Sequence, residues 1–172
     1  AVGRFGVEWV QVTHSAPQTT ALAISCGAGT IVLASDFKLD SRPMLGARTD
    51  TRRLEQIGRS GVLALLADST NAHRSGRSTS EHDVHRSLEV IMRSFPGRVF
   101  VSTFASNLAR LESMRLAGKN SGRHLSLAGG SLHRNSTIAE KVGILRPAGR
   151  VLSSRSMSAL PRDKVAYLCT GS

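Results

Sequence analysis

The chain has 172 residues, of which 40% are hydrophobic and only 4% aromatic, so it can build an aliphatic core in one ordinary domain or two small ones. Its formal charge is +11, from 23 Lys and Arg against 12 Asp and Glu, which favours a polyanionic partner over the alternative of a merely solvated basic surface. No apolar run approaches the ~18 residues that a membrane span needs, and two distant cysteines without CxxC spacing favour free thiols over the alternative of a disulfide.

The first part of the chain is predicted to be mainly β-structure. Three short apolar runs predict strands at residues 8–13, 20–25 and 30–34. Gly27 and Gly29 lie between the second and third runs, which is typical of the tight turn of an antiparallel hairpin. The chain should therefore run out along one strand and return along the next.

A loop, a short helix and a further strand are expected next. The pattern over residues 52–57 predicts one or two helical turns. The continuous apolar run at residues 62–67, VLALLA, is typical of a buried strand. This run ends in Asp68-Ser69-Thr70-Asn71, after which a Gly, Ser and Arg loop continues to Ser78.

The remaining chain alternates between helix and strand. A helix begins after Ser80, which with Asp83 fits a capping box, and Pro96-Gly97 ends it. We place the boundary between two domains near this Pro-Gly pair. Strands are predicted at 99–102, 124–128 and 165–169, with helices after residue 107 and over 135–142. This order predicts a parallel α/β unit.

Two residues at strand ends are candidates for chemistry. His14 follows the first strand in Thr13-His14-Ser15-Ala16-Pro17, and Asp36 follows the third strand in Ser35-Asp36-Phe37-Lys38. Imidazole and carboxylate groups are ligands of catalytic zinc, although two ligands cannot hold a metal alone. The hairpin should bring Asp36 back beside His14. The alternatives are a hydrogen-bonded structural histidine and a loop-capping aspartate.

Several segments carry a resemblance to a known family. In chain order they read THSAP, SDFKLD, GVLALLADSTNA, TSEHDV, RVFVSTFASNLARL, LAGGSLHRN, IAEKVGIL and PRDKVAYLCTGS. Together they span nearly the whole chain. They are similar to the middle of the ribonuclease J family, which are metallo-β-lactamase-fold nucleases with an inserted β-CASP domain. DSTNA and TFASN at this spacing are the most specific of these motifs.

The resemblance implies an α/β fold with a partial metallo-β-lactamase αββα core over residues 1–95 and part of a parallel β-CASP insert over 96–172. It implies metal-dependent hydrolysis of RNA phosphodiesters, either exo- or endonucleolytic. The complete site would use two zinc ions, with manganese or magnesium as alternatives. Single-stranded RNA as substrate, a homo-oligomeric complete protein, a cytoplasmic location and no membrane contact are the accompanying expectations.

The resemblance also assigns roles to individual residues. His14 matches a histidine ligand to one metal, and Asp36 matches a catalytic carboxylate that bridges both metals. Asp68 matches the acidic residue of the first β-CASP motif, where a carboxylate orients a ligand histidine; an ordinary Asx turn is the alternative. RNA contacts would come from four polar residues, for which helix or turn capping is the alternative. These are Ser69, Asn71, Ser106 and Asn107.

The chain departs from the family pattern in several places. It has no HxHxDH motif, so most of the ligand set would lie outside it, and both ends read as internal to a longer sequence. Gly129-Gly130-Ser131-Leu132 stands where the family has Gly-Arg-Ser-Met. We therefore expect this chain alone to be inactive. The alternative functions are a catalytically empty nucleic-acid-binding module and a hydrolase of small esters. His82 and His85 are expected on a solvated helix face.

Overall fold

A computed structural model describes residues 1–146 and 151–170, which divide into two units. The first unit runs from Ala1 to Thr79 and is built on a four-stranded sheet in the order β1-β2-β3-β4. Strand β2 is antiparallel to both β1 and β3, whereas β4 is parallel to β3. The elements of this unit are β1 (Gly6–Gln11), β2 (Thr20–Cys26), β3 (Gly29–Ala34), α1 (Thr51–Arg59) and β4 (Ala64–Ala67).

The predicted hairpin is confirmed. Strands β2 and β3 pair antiparallel, and their register closes at the pair of Cys26 with Gly29. Gly29 has a φ of +135°, and a Cβ added there would lie 2.5 Å from the side chain of Leu63, so the turn needs a glycine. Helix α1 covers one face of this sheet, where the buried cluster consists of Val10, Ala23, Val32 and Ile57.

The strand predicted over residues 62–67 is present, but the prediction that it is buried is wrong. The strand is Ala64–Ala67, and all four of its residues are exposed. Leu65 and Leu66 are 66% and 50% exposed. The reason is the position of β4, which is the last strand of the sheet and is paired on one side only within the described residues. A continuous apolar run is typical of a strand that is covered on both faces, but it does not identify the elements that cover the strand.

The second unit begins at Ser80 and contains a parallel sheet, as expected from the alternation of strands and helices. Its three strands have the order β5-β7-β6. The PRDKVAYLCTGS segment ends at Gly171 and Ser172, which lie outside the described residues. The elements of this unit are α2 (Glu81–Ser94), β5 (Val99–Thr103), α3 (Leu108–Asn120), β6 (His124–Ala128), α4 (Gly130–Lys141), α5 (Ser154–Ser158), a 3₁₀ turn (Arg162–Lys164) and β7 (Val165–Thr170).

Helix α4 begins earlier than the sequence predicts. It starts at Gly130, directly after β6, whereas the pattern predicts a start at residue 135. Gly129 makes the difference, because its φ of +134° turns the chain from strand to helix in one residue. A Cβ at this position would lie 2.5 Å from the Thr170 hydroxyl, so only glycine permits this close approach.

Helix α2 packs against α3 through buried polar groups. Glu81 is 5% exposed and accepts hydrogen bonds from Arg110 Nε at 2.7 Å and from the Ser113 hydroxyl at 3.0 Å. The expectation of a solvated helix face is wrong for His85, which is buried with Nδ1 3.1 Å from the Ser113 carbonyl oxygen.

Because α2 packs on α3, the two units divide before Ser80, whereas the predicted domain division lies at 95/96.

A buried arginine joins the end of α2 to the second sheet. Arg123 is 5% exposed, and its guanidinium donates to the carbonyl oxygens of Met92 at 2.6 Å, Gly97 at 2.7 Å and Val165 at 3.0 Å. It also donates to the carbonyl of Phe95. Five donors in a planar fork suit such a cluster of carbonyl groups, so Arg123 fixes the turn between α2 and β5.

Candidate active site

The three candidate residues for metal chemistry lie at one edge of the first sheet. Strand β2 is antiparallel to both β1 and β3, so β1, β3 and β4 all end at the same edge. His14, Asp36 and Asp68 follow these three strand ends. The amide of Asp68 also donates to the carbonyl of Ala34 at 3.1 Å, which continues the pairing of β3 and β4 to this point.

Two threonines fix the backbone beside His14. Thr13 is 3% exposed, and its N–H donates to the Thr49 hydroxyl at 2.9 Å. The Thr49 hydroxyl in turn lies 3.2 Å from the Thr13 hydroxyl. The Thr13 carbonyl accepts from Lys38 N at 2.8 Å, so the segment after β3 crosses the end of β2. This crossing brings Asp36 next to His14, although β2 separates their strands.

His14 and Asp36 are close enough to share a cation. His14 Nε2 lies 3.8 Å from Asp36 Oδ2, and the side chains are 30% and 73% exposed. Two ligands of one tetrahedral zinc ion, each about 2.1 Å from the metal, lie about 3.4 Å apart. The donor types and their separation therefore fit a shared metal ion. Among the described residues, however, no group of three or more His, Cys, Asp or Glu side chains could hold a metal ion.

Asp68 is held by the turn that follows it. Its Oδ1 accepts from the Thr70 hydroxyl at 2.6 Å and from Thr70 N at 2.9 Å. These hydrogen bonds, the hydroxyl above all, lower the pKa of Asp68. Desolvation opposes them, and the charge of His14 makes a smaller contribution to the lowering. The Asx turn left open as an alternative is therefore present. Within the described residues, Asp68 and His14 are linked by charge and not by a hydrogen bond.

The four candidate RNA-binding residues fall into two groups. Ser69 and Asn71 are exposed beside Asp68, and Asn71 adopts a φ of +62°, which asparagine tolerates in turns. Ser106 and Asn107 belong to the second unit. Asn107 caps α3, because its side chain accepts from Arg110 N at 2.9 Å. Capping explains Asn107 locally, and the RNA roles of all four remain predictions.

A cleft of about 270 Å³ lies at the opposite end of the first sheet from His14. Its lining includes Glu8 and Arg53, which form a bidentate ion pair with distances of 2.6 and 2.8 Å. The hydrogen bonds of this pair lower the pKa of Glu8 and raise the pKa of Arg53. Because Glu8 and Arg53 neutralise each other, this cleft is less suited to binding a charged ligand than the edge that carries His14.

Sequence reasoning missed the residues that support the site. Thr49 acts through Thr13, and Asp40 holds the loop after Asp36. The Asp40 side chain is 1% exposed, pairs with Lys38 Nζ at 3.2 Å and accepts from Arg42 N at 2.9 Å. Thr13 and Thr49 meet across many intervening residues, so no local pattern indicates their bond. For Asp40, the short spacing Lys38-Leu39-Asp40 was the only signal available.

Comparison with known proteins gives matches along the whole chain. The family model for the β-CASP domain of ribonuclease J matches residues 96–172. The ribonuclease J of Sinorhizobium meliloti is 44% identical over 99% of this chain, and that of Thermus thermophilus is 38% identical over 99%. The ribonuclease J of Helicobacter pylori strain J99 is 36% identical over 100% of the chain.

The chain is similar along its whole length to part of the ribonucleases J, and residues 96–172 match their β-CASP domain. It spans 30% of the length of the Sinorhizobium and Thermus relatives and 25% of that of the Helicobacter relative. Among solved structures, a protein of unknown function from Enterococcus faecalis V583 superposes with a TM-score of 0.63 at 18% identity. The match covers 100% of this chain and 42% of that one, and at this identity it supports the fold alone. The resemblance noted from the motifs is therefore confirmed.

No helix among the described residues is both long and apolar enough to cross a bilayer. This agrees with the short apolar runs of the sequence.

Proposed function

We propose that this chain is the part of a metal-dependent ribonuclease that supplies His14 and Asp36 to a two-metal site for RNA phosphodiester hydrolysis. The observation that carries the proposal is the 3.8 Å separation of His14 Nε2 and Asp36 Oδ2, in a chain similar to ribonucleases J along its whole length. We expect zinc as the metal because one ligand is an imidazole, with manganese or magnesium as alternatives.

The proposal includes a partial metallo-β-lactamase αββα core over residues 1–95, followed by β-CASP residues 96–172. One face of the first sheet supports it. Paired residues on this face form two apolar rows across the four strands, opposite the face that α1 covers. Three members of the rows, Trp9, Leu33 and Leu66, are 67%, 41% and 50% exposed. The rows are Val7, Ile24, Ile31 and Ala64, and Trp9, Leu22, Leu33 and Leu66.

An apolar sheet face of this size is not a typical solvent-exposed surface. It is suited to packing against a second layer supplied by a longer polypeptide, as an αββα arrangement requires. Since the chain spans 30% of the Sinorhizobium and Thermus relatives, such a layer can come from residues outside the 172.

Each candidate residue has a distinct chemical task in this proposal. His14 and Asp36 would hold the metal, which when bound activates water and stabilises charge on the phosphate. The Asp36 carboxylate offers two oxygens, so it is suited to bridging two cations. Asp68 is ionised at neutral pH, as any aspartate with an ordinary or lowered pKa is, and its negative charge favours the orientation and basicity of a ligand histidine. Ser69 and Asn71 are exposed on the same edge, where they can reach an RNA strand.

The proposal is tested by substitution in a longer polypeptide that contains this chain. Asp36→Asn keeps the shape of the side chain but removes its charge, so metal-dependent RNA hydrolysis should fall at least a hundredfold, together with the bound metal content. Asp163→Asn, at a half-exposed position on the other unit, is the matched control and should keep full activity. Equal activity of Asp36→Asn and Asp163→Asn would contradict the proposal.

Two other functions were open from the sequence. A catalytically empty module would bind RNA, and Asp36→Asn would leave that binding unchanged. An ester hydrolase would hydrolyse small esters and would not need RNA as a substrate. The names of the relatives favour neither. We further propose a cytoplasmic, homo-oligomeric complete protein acting on single-stranded RNA.

A further inference from the structure

Two arginines without ion-pair partners border the edge that carries His14 and Asp36. Arg48 and Arg74 are exposed, and neither forms an ion pair or a side-chain hydrogen bond with any residue that the structure describes. Arg53 and Arg59 of the same unit differ from them, because Arg53 pairs with Glu8 at 2.6 Å and Arg59 with Glu55 at 4.0 Å. An arginine remains charged at any physiological pH, so these two present a fixed positive charge to solvent.

The backbone of Arg48 is fixed beside His14 by its two neighbours. Thr49 accepts the hydrogen bond from Thr13 N at 2.9 Å, and the carbonyl of Ala47 lies 3.4 Å from the Thr13 hydroxyl. Thr13 precedes His14 directly in the chain. The segment 47–49 therefore lies against Thr13, the residue directly before the candidate ligand, and the side chain between its two anchors is Arg48.

The backbone of Arg74 is kept near Asp68 by consecutive turns. Thr70 is bound to Asp68 Oδ1, Ala72 N donates to the Ser69 carbonyl at 3.0 Å, and Arg74 N donates to the Asn71 carbonyl at 2.9 Å. Each such turn keeps its first and fourth Cα atoms within about 7 Å. The chain is thus compact here, whereas six extended residues would span about 20 Å. Arg74 consequently remains at the same edge of the sheet as Asp68.

We propose that Arg48 and Arg74 are phosphate-binding residues that hold the backbone of single-stranded RNA on either side of the His14 and Asp36 pair. The inference rests on the proposed function, because it needs an RNA strand at this edge. Guanidinium groups match phosphate oxygens in geometry, and two fixed charges on separate anchored loops can contact different phosphates of one strand. Such contacts position the strand without reading its sequence.

The test measures how salt weakens binding of fluorescent single-stranded RNA to the 172-residue chain, without divalent metal. For single strands the log–log slope changes by about 0.7 for each phosphate contact. Arg48→Gln and Arg74→Gln should each reduce the slope by about 0.7, and the double variant by about 1.4. The reductions should be equal on poly(U) and poly(A), because phosphates carry no sequence information.

The matched control is Arg4→Gln. Arg4 is also exposed and without an ion pair among the described residues, but it precedes β1 and so lies at the opposite end of the first sheet. Its substitution should leave the slope unchanged. The inference is overturned if the double variant keeps the wild-type slope, if Arg4→Gln reduces the slope as much, or if the folded chain does not bind RNA at low salt.

Hydrolysis by a longer polypeptide containing the chain separates this inference from the proposed function. There the Arg48 and Arg74 variants should raise KM about tenfold with little change in kcat, whereas Asp36→Asn should abolish kcat. Normal hydrolysis with an unchanged KM in the double variant would overturn the inference and leave the proposed function intact. Absence of hydrolysis in the unsubstituted protein, with the slope changes still present, would overturn the proposed function alone.

Discussion

Substitution of Thr49 by Val tests how the site is held in place. Thr49 supplies the acceptor for the N–H of Thr13, at 2.9 Å, and Thr13 is only 3% exposed. Valine keeps the branched shape but removes that acceptor, so a buried N–H loses its partner. Such a loss costs about 1–3 kcal/mol of the free energy of unfolding. With a urea m-value near 1 kcal/mol/M for a unit of this size, the midpoint should fall by about 1 M or more.

The assay is urea unfolding of the 172-residue chain, followed by the fluorescence of Trp9, which lies in the first unit. Thr51→Val is the matched control, because Thr51 is exposed and its side chain has no hydrogen-bond partner among the described residues. We expect the control to change the free energy of unfolding by no more than about 0.5 kcal/mol. Equal midpoints for the two variants would refute the assignment of Thr49 as the support of His14.

Three further predictions follow from single contacts. The lowered pKa of Asp68 means that its ionised form stabilises the fold above the usual value of about 3.9, and that this contribution is lost as the pH falls through the lower folded-state value. Thr70→Val should raise the pKa toward 3.9 in an NMR titration, and an unchanged pKa would mean that the Thr70 hydroxyl is not what lowers it. Arg123→Leu should destabilise the second unit by about 3 kcal/mol or more in thermal unfolding, because buried carbonyls lose their donor, whereas Arg86→Leu on the exposed side of α2 should not. The chain alone should not hydrolyse RNA with added Zn²⁺ or Mn²⁺; turnover that survives repurification and disappears in His14→Ala would be the contrary result.

The local signals of the sequence predict most elements of the fold. Alternating apolar runs and the Gly27–Gly29 turn indicate the hairpin, because strand period and turn chemistry are encoded by neighbouring residues. The capping serine at Ser80 and the capping amide at Asn107 mark where α2 and α3 begin, and both caps are found in the structure. The start of α4 was missed, because a glycine pair indicates a loop unless the need for one left-handed residue is known.

Long-range contacts could not be predicted in the same way. Burial of β4 depends on what lies against the sheet, which the run VLALLA does not specify. The approach of His14 to Asp36 was expected from the direction of the strands, but the bridge from Thr13 to Lys38 that closes the gap is a tertiary contact. His85 shows the same limit, since only packing of α3 on α2 turns a helix position into a buried one.

The most direct test of the central claim is an X-ray structure of a zinc-loaded longer polypeptide containing this chain, with anomalous data collected at the zinc edge. The account predicts an anomalous peak within about 2.2 Å of both His14 Nε2 and an Asp36 carboxylate oxygen, with a second peak on the other Asp36 oxygen. An anomalous signal confined to other residues, with the His14 and Asp36 pair in contact only with each other, would contradict it.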